Sequence, residues 1–429
     1  MNVCVIGAGY VGLTTAAVLS DIGNHVICVD LDMKKVESLR KGSIPIFEPN
    51  LQEIVLKNKQ RLSFTNDLGT ALENAEMVIV AVGTPPLPDG SSNLSYLYSA
   101  VFSMMKYATS HKIIMIKSTV PPGTNEAIYQ SLIDQGYNSN QFTLVSNPEF
   151  LREGSAVYDM LHPDRIVVGL HEENPAIIQK VKELYHGIHA PFIITNYSGA
   201  ELIKYASNAF LATKISFINE MARICEMFGA DITHIAEGIG SDARIGYSFL
   251  QAGIGYGGSC FPKDLQSLSF VAKEKNITPH ILDATQKVND TQMDFYVNKI
   301  MDVFPDLSSL KIAMLGIAFK ADTDDIRESR AIEFIKKLNQ LGCTVHAYDP
   351  KAQLPNELTV DNQQHPNLQD TLKDADITIV ATGWKEFLTM DWMQAKQLMR
   401  GNTIVDARNC LDKDLLESYG FQYIGVGRG

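Results

Sequence analysis

The chain has 429 residues, 45% of them hydrophobic and 20% charged, which is more length than one hydrophobic core organises, so two or three domains are expected. Its formal charge of −12 argues against a nucleic-acid partner, which would want a basic face. No run approaches the roughly 20 apolar residues of a membrane helix, and Met1-Asn2-Val3-Cys4-Val5-Ile6-Gly7 lacks the basic start and cleavage site of a secretory signal. A cytoplasmic location, a small-molecule ligand and no membrane partner are the expectations.

In chain order, Val/Ile-rich runs at residues 3–6, 25–29, 77–82, 113–116 and 143–145 alternate with helical lengths, the pattern of parallel βαβ units. From Ser198 to Met227 the pattern becomes one helical run of ~30 residues, about 45 Å long. Ser198 followed by Glu201 reads as a capping box, and Gly229 as the stop. A mixed helical segment continues to about Val303. Then Lys311-Ile-Ala-Met-Leu-Gly316 and Cys343-Thr-Val-His-Ala-Tyr-Asp349 echo the opening of the chain, and residues 374–383 echo residues 74–83. The fold class expected is α/β, with two Rossmann-like doubly wound parallel sheets joined by a central helical domain and a long linking helix.

Gly7-Ala-Gly9-Tyr-Val-Gly12 follows a strand and opens a helix, and Asp30 closes the next strand. Gly7 permits the tight turn, Gly9 lets the backbone approach a pyrophosphate, and Gly12 allows close helix packing. Asp30 suits a ribose diol and repels a 2′-phosphate, which favours NAD over NADP; Lys34 and Lys35 soften that preference slightly. Gly83-Thr84-Pro85-Pro86 and Ser118-Thr119 put hydroxyls on the ligand rim, although either segment serves equally as a turn. Gly316-Ile-Ala-Phe319 lacks the three glycines, so no second dinucleotide is expected in the same mode.

Gly255-Tyr-Gly-Gly-Ser-Cys260-Phe-Pro-Lys-Asp264 surrounds one thiol with glycines and places Pro262 as the first residue of a helix. The helix N-terminus and Lys263 would lower the Cys260 pKa and raise its nucleophilicity, and Asp264 shares its face. The other reading, a buried structural cysteine, is the ordinary one for Cys4, Cys28, Cys343 and Cys410, which lie in or beside strand-like runs. None of the six cysteines has metal-ligand spacing, so no metal is expected. Lys204 and Asn208 lie one turn apart on the long helix; standing alone, they would read as a solvated face. Glu149 and Glu153 follow a strand at the ligand edge. A hydride acceptor combined with a nucleophilic cysteine implies oxidation past the aldehyde, through a thiohemiacetal and a thioester to an acid.

These motifs, with Asn147–Gly154, Arg244-Ile-Gly246 and the run from Gly316 to Arg327 in the same order, resemble the UDP-glucose 6-dehydrogenase family of the wider UDP-glucose/GDP-mannose dehydrogenase group. The resemblance covers nearly the whole chain. It implies an NAD-binding Rossmann domain at residues 1–195, a central helical domain at 196–305 bearing the dimer contact and the cysteine, and a UDP-sugar-binding domain at 306–429. It further implies a four-electron oxidation of UDP-glucose that consumes two NAD, in a homodimer. Cys260 would be the nucleophile, Lys204 would stabilise the oxyanion or shuttle a proton from the primary alcohol, Asn208 would help hold the oxyanion, and Asp264 would act with a water as base. Thr119 with Glu149 or Glu153 would activate water on the thioester, and the spacing does not divide those two carboxylates.

For the cofactor, the resemblance implies Tyr10 and Val11 beside the loop glycines, then Lys35, Thr84, Thr119, Glu153, Lys263 and Arg327. For the substrate it implies Glu149, Phe150, Leu151 and Arg152 after the strand, and Lys204 and Asn208 on the helix. Arg244 would reach in from a partner subunit. Phe249, Gln251, Gly253, Tyr256 and Gly257 would come from the cysteine loop, and Phe319, Lys320 and Arg408 from the last domain. Three other readings stand beside this one: the same chemistry on GDP-mannose or an N-acetylated UDP-sugar, a two-electron 3-hydroxyacid dehydrogenase, and a non-catalytic nucleotide-sugar sensor. Cys260 and the third segment weigh against the second, and the sensor would leave these groups idle.

Overall fold

A computed structural model describes residues 1–428. It consists of two compact units, one formed by Met1–Ser207 with Gln266–Asn276, the other by Asn208–Leu265 with the chain from Ile277 on.

The first unit is built on β1 (Asn2–Ile6), β2 (His25–Val29), β3 (Leu62–Thr65), β4 (Met77–Val80), β5 (Lys112–Ile116), β6 (Phe142–Ser146), β7 (Ile166–Leu170) and β8 (Phe192–Asn196), ordered β3-β2-β1-β4-β5-β6-β7-β8. Pairing is parallel throughout except for the antiparallel β6 and β7. The central strands β4 and β5 are buried at every position, which is why they read as continuous apolar runs. At the edges, β3 alternates buried and more exposed residues and β8 buries none fully. Strand order reverses at β1, where Ile6 pairs with both Val29 and Val80. That register sets Gly7, Asp30 and Ala81 side by side at the carboxyl ends of the strands, the crevice where open α/β sheets bind ligands.

The second unit repeats the plan with β9 (Lys311–Leu315), β10 (Thr344–Tyr348), β11 (Asn362–Gln364), β12 (Ile377–Val380), β13 (Thr403–Asp406) and β14 (Gln422–Ile424), ordered β11-β10-β9-β12-β13-β14 and wholly parallel. The echo read in the sequence extends to single hydrogen bonds. Gly316 N–H donates to the Tyr348 carbonyl at 2.8 Å, as Gly7 N–H does to that of Val29 at 2.8 Å.

The long helix runs Tyr197–Phe228 and stops at Gly229, whose φ of +64° favours glycine. Its start corrects the capping-box expectation. Asn196 Oδ1 accepts the Gly199 N–H at 2.7 Å, so the cap lies two residues before Ser198. The Glu201 carboxylate turns instead to the N-terminus of the Thr124–Asp134 helix, accepting the N–H groups of Gly123 and Asn125 at 2.6 and 2.7 Å. A helix start brought close in space presents unsatisfied donors that outcompete the local pairing. Among the described residues no helix is long and apolar enough to cross a membrane.

Candidate active site

The glycine loop of the first unit divides its labour by space. A Cβ on Gly7, at φ +102°, would stand 2.5 Å from the Ala81 carbonyl oxygen, and one on Gly12 would stand 1.8 Å from that of Gly7. On Gly9, which precedes the Tyr10–Asp21 helix, a Cβ would meet nothing within 4 Å. Gly7 and Gly12 serve the fold, and Gly9 leaves room over a helix N-terminus, where an anion binds. Asp30 accepts Ala8 N–H at 2.8 Å, Asp32 N–H at 3.0 Å and Lys35 Nζ at 3.0 Å. Burial pushes its carboxyl up, but these donors and the lysine charge together hold it below the usual range, so it stays an acceptor. Loop, open helix start and ionised acid fit a dinucleotide. The rim hydroxyls face inward: Thr84 Oγ1 donates to the Thr119 carbonyl at 2.8 Å, and Ser118 Oγ to that of Val82 at 2.7 Å.

After β6, the chain turns at Asn147-Pro148 and buries Glu149. One carboxylate oxygen is 2.9 Å from Lys204 Nζ, and the other accepts the Leu151 N–H at 2.6 Å. Burial raises this carboxyl, yet the Lys204 ammonium, the Leu151 N–H and the charge of Lys117 together hold the acid below its ordinary value. The Phe150 ring carries Arg165 at 3.7 Å and Lys204 at 5.4 Å from its centroid. Glu153 is only half-buried, so the two carboxylates that spacing left alike differ in surroundings. Arg152 is exposed and chelates Asp159.

In the second unit, Cys260 precedes the Phe261–Glu274 helix, and its carbonyl accepts the Asp264 N–H at 2.9 Å. Its thiol therefore belongs to a helix start, where the macrodipole favours thiolate. Pro262 is the second helical residue rather than the expected first, because Phe261 already has helical geometry. Asp264, buried, accepts Asn208 Nδ2 at 2.6 Å and Lys263 Nζ at 2.5 Å. Ser259 Oγ lies 3.6 Å from Cys260 Sγ. Burial drives Cys343 up to about 11 and Cys4 to about 12, and raises Cys28, Cys225 and Cys410, so these five are held as neutral thiols.

The loop before Cys260 rests on the second sheet. Gly253 N–H donates to Asn219 Oδ1, and Ile254 N–H to the Ala407 carbonyl, each at 2.8 Å. Asn289 exchanges hydrogen bonds with both backbone groups of Tyr256. A Cβ on Gly257 would lie 2.0 Å from the Glu328 carbonyl oxygen, and one on Gly258 2.7 Å from the Phe319 ring. Arg408 ties the assembly together, donating to the carbonyls of Ala381, Gly255 and Phe319. Arg330 donates to those of Ile254 and Asn289. Phe249 and Tyr256 flank the Phe261 ring, and Lys320 Nζ lies 5.8 Å over Phe319.

The side chains of three other expected residues turn elsewhere. Gln251 is exposed, Arg244 is exposed and chelates Asp242, and Arg327 pairs with Asp325 while its carbonyl accepts Gly258 N–H. Sequence reasoning passed over Glu48, Arg165, Asn219, Asn289 and Arg330. Burial marks all of them but the half-buried Arg165, which its contact with the Phe150 ring marks instead, and neither sign is visible without the fold. Asp349, the counterpart of Asp30, is saturated by the N–H groups of Ile317, Ala318, Lys351, Ala352 and the Trp384 indole. This sheet has no free ribose acceptor at that position.

An open glycine loop that ends at an ionised acid, carried in one chain with a cysteine at a helix start, defines an NAD-dependent oxidoreductase. Models of the UDP-glucose/GDP-mannose dehydrogenase family match in three segments: its NAD binding domain at residues 1–189, its central domain at 198–291 and its UDP binding domain at 313–413. The chain belongs to that family. YtcA of Bacillus subtilis (strain 168) is 51% identical over 428 residues, with 100% of both chains covered. The UDP-glucose 6-dehydrogenase TuaD of the same organism is 41% identical over 433 residues, covering 100% of this chain and 93% of TuaD. A UDP-glucose dehydrogenase structure from Pyrobaculum islandicum matches with a TM-score of 0.90 at 33% identity, covering 100% of this chain and 98% of that one.

Proposed function

We propose that the chain oxidises the primary alcohol of UDP-glucose to the carboxylate of UDP-glucuronate through a thioester on Cys260. The observation that carries this reading is Cys260 at a helix start beside the buried Asn208–Asp264 pair and Lys263, an arrangement that a two-electron alcohol oxidation does not require. Bound NAD would accept a hydride in each of two oxidations, so two equivalents are consumed per sugar. Asp264, through a water, takes the proton of the primary alcohol. The Cys260 thiolate adds to the aldehyde carbon, with the Lys204 ammonium and the Asn208 amide stabilising the oxyanion. The second oxidation leaves a thioester. Glu149, kept ionised by Lys204, takes a proton from the attacking water, and the thiol departs as the acid forms. Glu153 and the Gly7–Gly12 loop are then left to the cofactor.

The uridine diphosphate is assigned to the second sheet, at Phe319, Lys320, Arg408 and the loop of Gly253, Tyr256 and Gly257. The assembly proposed is a homodimer in the cytoplasm. Phe210, Phe217, Ile224 and Phe228 leave the long helix with an exposed apolar stripe, and the exposed Arg244 would exchange its Asp242 partner for a neighbouring subunit's site. A second reading keeps the chemistry and changes the sugar, since a UDP-D-ManNAc dehydrogenase from Pyrococcus horikoshii matches with a TM-score of 0.89 at 25% identity. Incubation with NAD and a panel of sugar nucleotides, counting NADH per sugar consumed, tests both. Two equivalents with UDP-glucose are expected; one, or none with any sugar nucleotide, would sink the four-electron route.

A further inference from the structure

Glu48 sits in the connection Ile46-Phe-Glu-Pro49, and its side chain is 6% exposed. One carboxylate oxygen accepts the Tyr10 hydroxyl and the Gly154 N–H, the latter at 2.8 Å; the other accepts the Val157 N–H at 3.4 Å. Gly154 N–H also lies 2.7 Å from the Tyr10 hydroxyl oxygen. These donors come from two distant segments. Tyr10 opens the Tyr10–Asp21 helix directly after Gly9, whereas Gly154 and Val157 lead from the Glu149–Glu153 loop into the Ala156–Leu161 helix. A buried carboxylate is costly unless it is fully hydrogen-bonded, and here the bonds clasp a cofactor-binding turn to a loop of acids.

We propose that Glu48 is a positioning residue that locks the first turn of the cofactor-binding helix to the Glu149–Glu153 loop, so that the dinucleotide site and the water-activating carboxylate are held as one piece. The Tyr10 hydroxyl is spent on this clasp, which leaves its backbone and ring for the cofactor. The link to water activation rests on the role given to Glu149 above; the effect on cofactor affinity does not. In Glu48→Gln, an amide N–H replaces an acceptor where N–H and O–H donors converge. Helix turn and loop then part, and NAD meets a site that it must first order.

Calorimetric titration with NAD, without sugar, tests the clasp. Glu48→Gln and Tyr10→Phe are each expected to weaken NAD binding by about tenfold. The double variant should be no weaker than the worse single one, because both break the same clasp. Hydrogen exchange in the segment 150–158 should quicken in Glu48→Gln, while that of β4 stays unchanged. Unchanged NAD affinity in both variants, or losses that multiply in the double variant, would overturn the proposal. If Glu48→Gln fails to fold, Tyr10→Phe, which removes one hydroxyl, carries the affinity test alone. The titration needs no turnover: wild-type protein that bound NAD but oxidised no sugar nucleotide would defeat the functional reading and leave this one standing.

Discussion

Glu149 keeps its charge because Lys204 Nζ stands 2.9 Å away in surroundings that would otherwise neutralise the acid. Removing either partner strands the other without water. Lys204→Met is therefore expected to cost about 3–5 kcal/mol of stability, read as a lowered Tm, with partial recovery in the Lys204→Met, Glu149→Gln double variant. The pH dependence follows from the same pair. The Glu149 pKa is depressed on folding, so its contribution is complete above the unfolded value of about 4.3 and is lost as pH falls through the lower folded value. The Tm difference between wild type and Glu149→Gln should be constant above that point and shrink below it; a difference that grew on acidification would contradict the pairing. At Cys260, replacement by Ala is expected to lower uronate formation by at least about a thousandfold. Normal uronate production by that variant would exclude the thioester.

At the scale of elements, the glycine loop separates binding from folding. A methyl at residue 9 meets open space, whereas one at residue 12 meets the Gly7 carbonyl. Gly9→Ala should then change stability by no more than about 1 kcal/mol while raising the KM for NAD severalfold, because the methyl occupies the pyrophosphate's approach. Gly12→Ala should lower the Tm clearly, because helix and strand must move apart. Thermal melts beside NAD titrations distinguish the two, and equal losses of stability would refute the division. The cysteine loop shows the complementary case. Gly257 and Gly258 are required by the Glu328 carbonyl and the Phe319 ring, so glycines that read as space around a thiol also serve as packing against the second sheet.

Across the whole molecule, the exposed stripe on the Tyr197–Phe228 helix is the feature most in need of a partner. If the proposed homodimer forms through this stripe, Phe217→Glu, at a position 46% exposed, should leave secondary structure intact and shift the sedimenting species to monomer. Sugar oxidation should fall with it if Arg244 serves the neighbouring subunit. A variant that remained dimeric would remove the stripe from the interface.

Local signals in the sequence determined much of this protein. Buried parallel strands read as apolar runs, the Gly7–Gly12 loop with Asp30 predicted its own turn and register, and the repeated pattern predicted a second sheet, because each follows from neighbours along the chain. Cys260 could be chosen among six thiols for the same reason. Tertiary structure alone decided that Glu149 is buried against Lys204 while Glu153 is half-buried, where Glu201 caps, and which remote partners Glu48, Asn289 and Arg330 meet. Those outcomes depend on burial and on donors from remote segments, since a polar side chain acquires its role only when the fold removes water and supplies a partner.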